Sequence, residues 1–367
     1  MLLYLTYISQ LRALLICRRL GSDGVRRMSD YVASCGFPLV RIGEIPIPRL
    51  VLGHLPFLGE SYQGDEKNKE FTTRFSNIKN TQRILEIAVE KFGVTVTATG
   101  TINDSEKLVS IHFEAIRETE RNTGIEFAII PCVQIPITVA RRPIDVYRRW
   151  LTYYEAERKQ VHNGLLQRYL EDPVLQSRSN WKKKFAEALK ESKPYEAPEL
   201  QNLHIDYRKL DKMLTFLKDF KVLLVEVGSE TDFLAMTGRV DLLSDLIYHI
   251  REKYGKGVLG GIHHAGSTIP ILEQSKLEFD GYITPINKLG VMMFPDKDSA
   301  LKSIRKCGKP VIAIKPLAGG RIPPKEAFHY IYKELEVASC MVGVGSKSEA
   351  EVDFSTASET LRSLQRA

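Results

Sequence analysis

The chain has no apolar run near the roughly 18 to 20 residues that a bilayer crossing requires, which argues against a membrane span. Its five cysteines (Cys17, Cys35, Cys132, Cys307 and Cys340) are odd in number and scattered, with no CxxC pair and no histidine at zinc-ligand spacing beside them. That excludes a disulfide framework and fits a reducing, cytoplasmic setting with inert thiols. HExxH is absent, and the first apolar run carries no HxH, so a catalytic metal has little support. No GxGxxG follows that run, where the sequence reads "GHLPFLGESYQG"; this weighs against a doubly wound dinucleotide-binding sheet.

The 367 residues that are present have a globular balance, 43% hydrophobic and 26% charged. The net charge is +7, but residues 1–27 carry +4 and residues 141–195 carry +6, leaving −3 on the rest. Basicity confined to two segments argues against nucleic acid as the partner of the whole protein. Residues 1–27 have the parts of a signal peptide in the wrong order, with Gln10 and Arg12 inside the apolar stretch and the remaining arginines after it. Residues 1–36 are therefore expected to be an N-terminal extension outside the fold, with Met28 as an alternative start.

From residue 49 onward, eight apolar runs alternate with stretches long enough for crossover helices. They are RLVLGHL (49–55), VTVTATG (94–100), FAIIPCVQI (127–135), KVLLVEVG (221–228), GVLGGIHHAG (257–266), GYITPIN (281–287), PVIAIKP (310–316) and CMVGVG (340–345). Near-continuous apolar strands indicate parallel pairing buried on both faces, and eight such units close a (β/α)8 TIM barrel over residues 37–367, an α/β fold. Asn80-Thr81 and Asp104 are expected helix N-caps, Pro323-Pro324 a first turn, and Gly255 and Gly308 C-terminal stops.

About 85 residues separate the third and fourth runs, when roughly 30 suffice for a crossover. Residues 141–205 are therefore expected to form a helical excursion at the active end of the barrel, with Trp150, Tyr154, Val161 and Leu165 on one side. It would serve as a lid or a homo-oligomer contact, and its Lys182, Lys183 and Lys184 offer a basic surface for an assembly partner.

In this fold chemistry sits at the strand C-terminal ends. These ends carry His54, Thr99, Gln134, Glu226, His263-His264, Asn287-Lys288, Lys315 and Ser346-Lys347. Alternation in PVIAIKP puts Val311, Ala313 and Lys315 on one face, read here as the one directed to the mouth; the same step groups Leu224 with Glu226, and Leu259 with His263. Lys315, Glu226, His263 and His54 are the candidate catalytic residues. A lysine with apolar walls suits a base or Schiff-base nucleophile, whereas one paired with Glu226 stays charged. In PLAGGRIPP and GVGSKSEAEV, small residues before a helix start offer free amides to a phosphate, with Gly319, Gly320, Arg321, Gly345, Ser346 and Lys347 as candidate cofactor-binding residues.

With the strands placed, FDGYITPIN, VIAIKPLAGG and MVGVGSKSEAEVD resemble the last three strand regions of the aldo-keto reductase superfamily, and FPLVRIGEIPIPRLVLGHLPF is similar to its opening hairpin. The resemblance implies a (β/α)8 barrel binding NAD(P), with Gly345, Ser346, Lys347 and Glu351 on the adenosine side. It also implies a catalytic tyrosine, a lysine that lowers its pKa, an aspartate and a histidine. The matching positions here lack all four: strand 2 ends in threonines, strand 3 has no lysine, and strand 4 carries Glu226. A divergent enzyme is expected, using proton-transfer, aldol or lyase chemistry on a small phosphorylated or carbonyl-containing ligand. The alternatives are an NAD(P)-dependent oxidoreductase with a substitute acid, and a non-catalytic assembly protein.

Overall fold

A computed structural model describes residues 36–101, 106–161, 163–215 and 217–365. The expectations for residues 1–35, including the leader-like segment and Met28, and the cap at Asp104 lie outside the described residues.

A hairpin of β1 (Leu39–Ile42) and β2 (Ile45–Pro48) leads into β3 (Leu50–Gly53), the first barrel strand. β4 (Val96–Thr99) and β5 (Ala128–Val133) follow; then β6 (Ile137–Val139), β7 (Arg142–Pro143) and β8 (Leu203–Ile205) form a small antiparallel sheet that starts and ends the excursion. The fourth barrel strand comes in two pieces, β9 (Lys221–Val222) and β10 (Leu224–Val227). β11 (Gly257–Gly261), β12 (Gly281–Pro285), β13 (Val311–Ile314) and β14 (Ser339–Gly343) complete the set. Parallel pairing runs from β3 through β4, β5 and β10 to β14, and β14 returns to β3 with Met341 opposite Val51, so the barrel is closed. All eight expected strands are present.

The barrel interior is a cluster of medium aliphatics: Val51, Val96, Ala98, Ile130, Leu224, Leu259, Ile283, Ile312 and Met341. Ile42 and Ile47 of the hairpin belong to that cluster and plug its lower end. The alternate residues on each strand, such as Leu50, Leu52, Val311 and Ala313, join the larger cluster under the surrounding helices. The period of two thus divides each strand between two cores.

Sequence signals for the helix ends hold with two adjustments. Gly255 takes a left-handed φ of 60° and Pro324 opens its helix. The second helix of the first crossover (Ile78–Phe92) has its cap three residues before the expected Asn80: Asn77 accepts a hydrogen bond from the Lys79 amide. The stretch from 146 to 171 is two helices, Val146–Glu157 and Leu165–Glu171, separated at Gly164 with a φ of 79°. Trp150 and Leu165 are buried as expected, but on different helices.

Candidate active site

Lys315 follows β13 and reaches the mouth by a route that alternation does not predict. Val311 and Ala313 face the outer helices while Ile312 and Ile314 face the interior, so the face assigned to Lys315 from the sequence is the outer one. At Lys315, however, φ is +55°, a left-handed value that an L side chain rarely adopts, and the turn swings the side chain back over the barrel. Its Nζ lies 3.3 Å from Nε2 of His263 and 4.8 Å from the centre of the Tyr62 ring. Among the described residues no carboxylate lies within ion-pair distance of it. Burial pulls its pKa down to about 8, although Glu226 acts in the other direction. A lysine drawn toward neutrality in this way carries a larger neutral fraction at pH 7 than an ordinary one.

Glu226 points inward from β10, opposite Cys132 on β5. Burial lifts its pKa to about 7, and a hydrogen bond with the Cys132 thiol and then the charge on Lys315 oppose that rise. Room for the carboxylate comes from Gly261 on the next strand, where an added Cβ would lie 3.2 Å from Glu226 Oε1 and 2.6 Å from the Val227 carbonyl. His263 is fixed through its backbone: its amide donates to Asp232 Oδ2 at 2.7 Å. Burial, followed by Lys315, holds its imidazole well below the usual range, so the ring is neutral and accepts from the lysine. His54 is also buried, with a pKa lowered to about 4 by burial and then by Lys315. It stands close enough to His112 to disfavour charge there too.

Sequence neighbours on the other strand ends go elsewhere. His264 turns to the opposite side from His263, where its Nδ1 meets Glu157 Oε1 at 2.9 Å. Tyr169 and Ser267 donate to the same carboxylate at 2.5 and 3.0 Å. Asp232 accepts from Thr268 Oγ1 at 2.7 Å and from both histidine amides. Around this network pack Trp150, Tyr153, Tyr169 and Phe294, with the His264 ring centred 4.3 Å from Tyr153 and 5.0 Å from Phe294. Asn287 bonds the loop at Val291, and Lys288 pairs with Glu326 on the surface. Thr99 is buried, and Gln134 is exposed.

The excursion is docked on this end of the barrel. Glu157 holds the β11 loop, Arg168 donates to the carbonyls of Gly290 and Met293, Asp172 accepts from the Met292 amide, and Arg149 pairs with Glu230 after β10. Its Lys182, Lys183 and Lys184 remain exposed. A surface groove of about 580 Å³, lined by Tyr154, Arg158, Lys159 and Leu165, lies within the excursion itself. It holds none of the mouth residues.

The two glycine loops use their polar atoms internally. The Gly345 amide donates to Glu349 Oε2 at 2.7 Å, its carbonyl accepts from Arg74, and Ser346 Oγ accepts from the Glu349 amide at 3.2 Å. Phe71 closes on the same glycine, where an added Cβ would lie 2.3 Å from the ring. After β13, Gly319 and Gly320 both have left-handed backbone, and the Gly319 carbonyl accepts from Gln63. Arg321 donates to the carbonyls of Ala318, Tyr62 and Pro173. Lys347 is exposed beside Glu351.

Three mouth residues were not among the sequence candidates. Tyr62 comes from the loop after β3, where burial and then Glu60 push its phenol far above the usual range. Cys132 resembled an inert thiol, although its place four residues into a barrel strand, in step with Ala128 and Ile130, marks it as inward-facing. Arg178 is brought by the excursion and acts electrostatically on Tyr62, Lys315 and His263.

Among the described residues no three of His, Cys, Asp and Glu converge as metal ligands, and no helix is long and apolar enough to cross a membrane.

The fold and mouth define an α/β-barrel protein of the (β/α)8 type with a helical excursion over its open end. No family model matches the sequence, and no curated protein matches it. Among solved structures, one named as an aldo-keto reductase of Pseudomonas aeruginosa is 14% identical with a TM-score of 0.47, covering 88% of this chain and 96% of its own. A second from the same organism has 15% identity and 0.46 over 88% and 94%, and one from Brucella melitensis has 11% and 0.42 over 89% and 99%. The barrel assignment itself rests on the strand pairings.

Proposed function

We propose that the protein is an enzyme of small carbonyl compounds that works through a Schiff base on Lys315, giving proton-transfer, aldol or lyase chemistry. The observation that carries this reading is the turned-in lysine, held 3.3 Å from His263 Nε2 and 4.8 Å from the centre of the Tyr62 ring, with no carboxylate within ion-pair distance among the described residues, where burial draws its pKa down to about 8. The neutral Nζ forms a C–N bond to the carbonyl carbon, and protonated Glu226 supplies a proton to the oxygen. The carbinolamine then loses water to give an iminium ion. Breaking an adjacent C–H or C–C bond sends its electron pair toward the iminium nitrogen as an enamine, and Glu226 accepts or returns the proton. A carboxyl titrating near 7 is suited to both directions.

The nicotinamide alternative asks for donors at Gly345 and Ser346, and the Gly345 amide is already engaged by Glu349. The tyrosine present, Tyr62, has its pKa raised rather than lowered. An engaged Gly345 amide and a phenol whose pKa is raised count against that cofactor. An assembly role through Lys182 to Lys184 is supported only by their exposure.

The test is reductive trapping: borohydride added with a panel of small aldehydes and ketones, followed by peptide mass spectrometry. An adduct on Lys315 is expected. No adduct on that residue across the panel overturns the reading.

A further inference from the structure

The excursion brings a second cation, Arg178, to the Lys315 side of the mouth: Arg321 donates to the carbonyls of both Tyr62, whose ring lies 4.8 Å from Lys315 Nζ, and Pro173, which opens the helix before Arg178. Arg178 follows the short helix Pro173–Gln176 and is exposed toward solvent. Four arginines in the helices of the excursion have partners: Arg148 with Glu199, Arg149 with Glu230, Arg158 with Glu155, and Arg168 with the Gly290 and Met293 carbonyls. Arg178 has no carboxylate within ion-pair distance among the described residues. Its guanidinium is instead held 5.8 Å from the Trp150 ring and 5.7 Å from the Trp181 ring. Both indoles are almost wholly buried, so they fix the guanidinium without neutralising it. Glu60 is the acid whose charge reaches it, and that residue bonds the Tyr62 amide.

An unneutralised guanidinium on a rigid aromatic seat beside a reactive amine is arranged to receive an oxyanion, because its planar fork matches a carboxylate or phosphate edge. We infer that Arg178 anchors the anionic group of the substrate, so that the compounds meeting Lys315 are carbonyl compounds bearing a carboxylate or phosphate. This rests on the Schiff-base reading for the identity of the carbonyl, but the oxyanion site stands without it. It also gives the excursion a specificity role: the barrel supplies the amine and the inserted helices supply the anchor.

Two measurements on the full chain test the inference. In reductive trapping with pyruvate, glyceraldehyde 3-phosphate and neutral propanal, Arg178→Ala should raise the half-saturating concentration of the anionic compounds about tenfold or more. Loss of its charge lets the Lys315 pKa rise and slows trapping of all three compounds alike, but the half-saturating concentration of propanal should stay within about twofold, and Arg178→Lys should restore part of the loss. Equal effects on the half-saturating concentrations of propanal and of the anionic compounds, or no effect on any, overturn the anchor. Calorimetric titration with oxalate and with inorganic phosphate does not depend on imine formation. Binding to the parent protein that Arg178→Ala abolishes supports the anchor even if trapping fails and the Schiff-base reading falls, and the preferred anion identifies carboxylate or phosphate. Failure of both anions to bind the parent protein overturns it.

Discussion

His263 and His264 are joined by one peptide bond and belong to two regions with opposite electrostatics. His263 faces the mouth, where Lys315, Glu226 and Arg178 have no ion-pair partner among the described residues and the first two have pKa values drawn toward neutrality. His264 faces the excursion, where Glu157 satisfies His264, Tyr169 and Ser267 in an interior almost without solvent. Burial is common to both regions. What differs is compensation: charges without partners shift toward reactivity, and charges with partners become a latch.

The comparison breaks most readily at the lysine. Lys315→Met should abolish reductive trapping while changing the free energy of unfolding by no more than about 1 kcal/mol, since no ion pair is lost; parallel trapping and denaturation experiments read both. On the latch side, Glu157→Ala leaves a buried imidazole, phenol and hydroxyl without their acceptor. It should cost about 3–5 kcal/mol in urea unfolding and expose residues 146–201 to proteolysis.

Glu226→Gln sharpens the contrast. The productive state needs Glu226 protonated and Lys315 neutral, with pKa values of about 7 and about 8, so trapping in the parent protein should follow a bell with its maximum between them. The variant should trap about a hundredfold more slowly and lose the alkaline limb, because an amide does not ionise. Gly345→Ala should cost about 1–3 kcal/mol by forcing Phe71 aside, as measured by denaturation.

The smallest effect is in pH. Burial pulls the His264 pKa down, but Glu157 outweighs it and the net shift is upward. The pair's stabilisation is therefore complete below the unfolded imidazole value of about 6.5 and is lost as pH rises through the higher folded value. Proteolysis of the excursion should quicken modestly over that alkaline range, and not under mild acid.

The barrel was legible because strands buried on both faces read as apolar runs, and each of the eight runs became a strand. Glu226 and His263 were legible for the same reason: each keeps its strand's alternation. Lys315 was placed at the mouth on an argument with the wrong parity. A left-handed residue breaks the period of two, and a lysine gives no sign that it has adopted one. The excursion was misread as a continuous helical stripe because Tyr154, Val161 and Leu165 have helical spacing across Gly164, where the chain turns. Tyr62, Cys132 and Arg178 converge from three separate segments, and their meeting is a tertiary fact that no local pattern records. The glycine loops were recognisable as tight turns, but the sequence could not show that Glu349 would fill the position read as an anion site.

The left-handed backbone at Lys315 has a further consequence. A non-glycine residue held there costs of order 1–3 kcal/mol, and glycine would adopt the same turn freely. Lys315→Gly should therefore fold at least as well as the parent, so a search for thermal stability alone would drift toward discarding the amine. On the Schiff-base reading, position 315 is a place where selection for endurance and selection for chemistry pull in opposite directions.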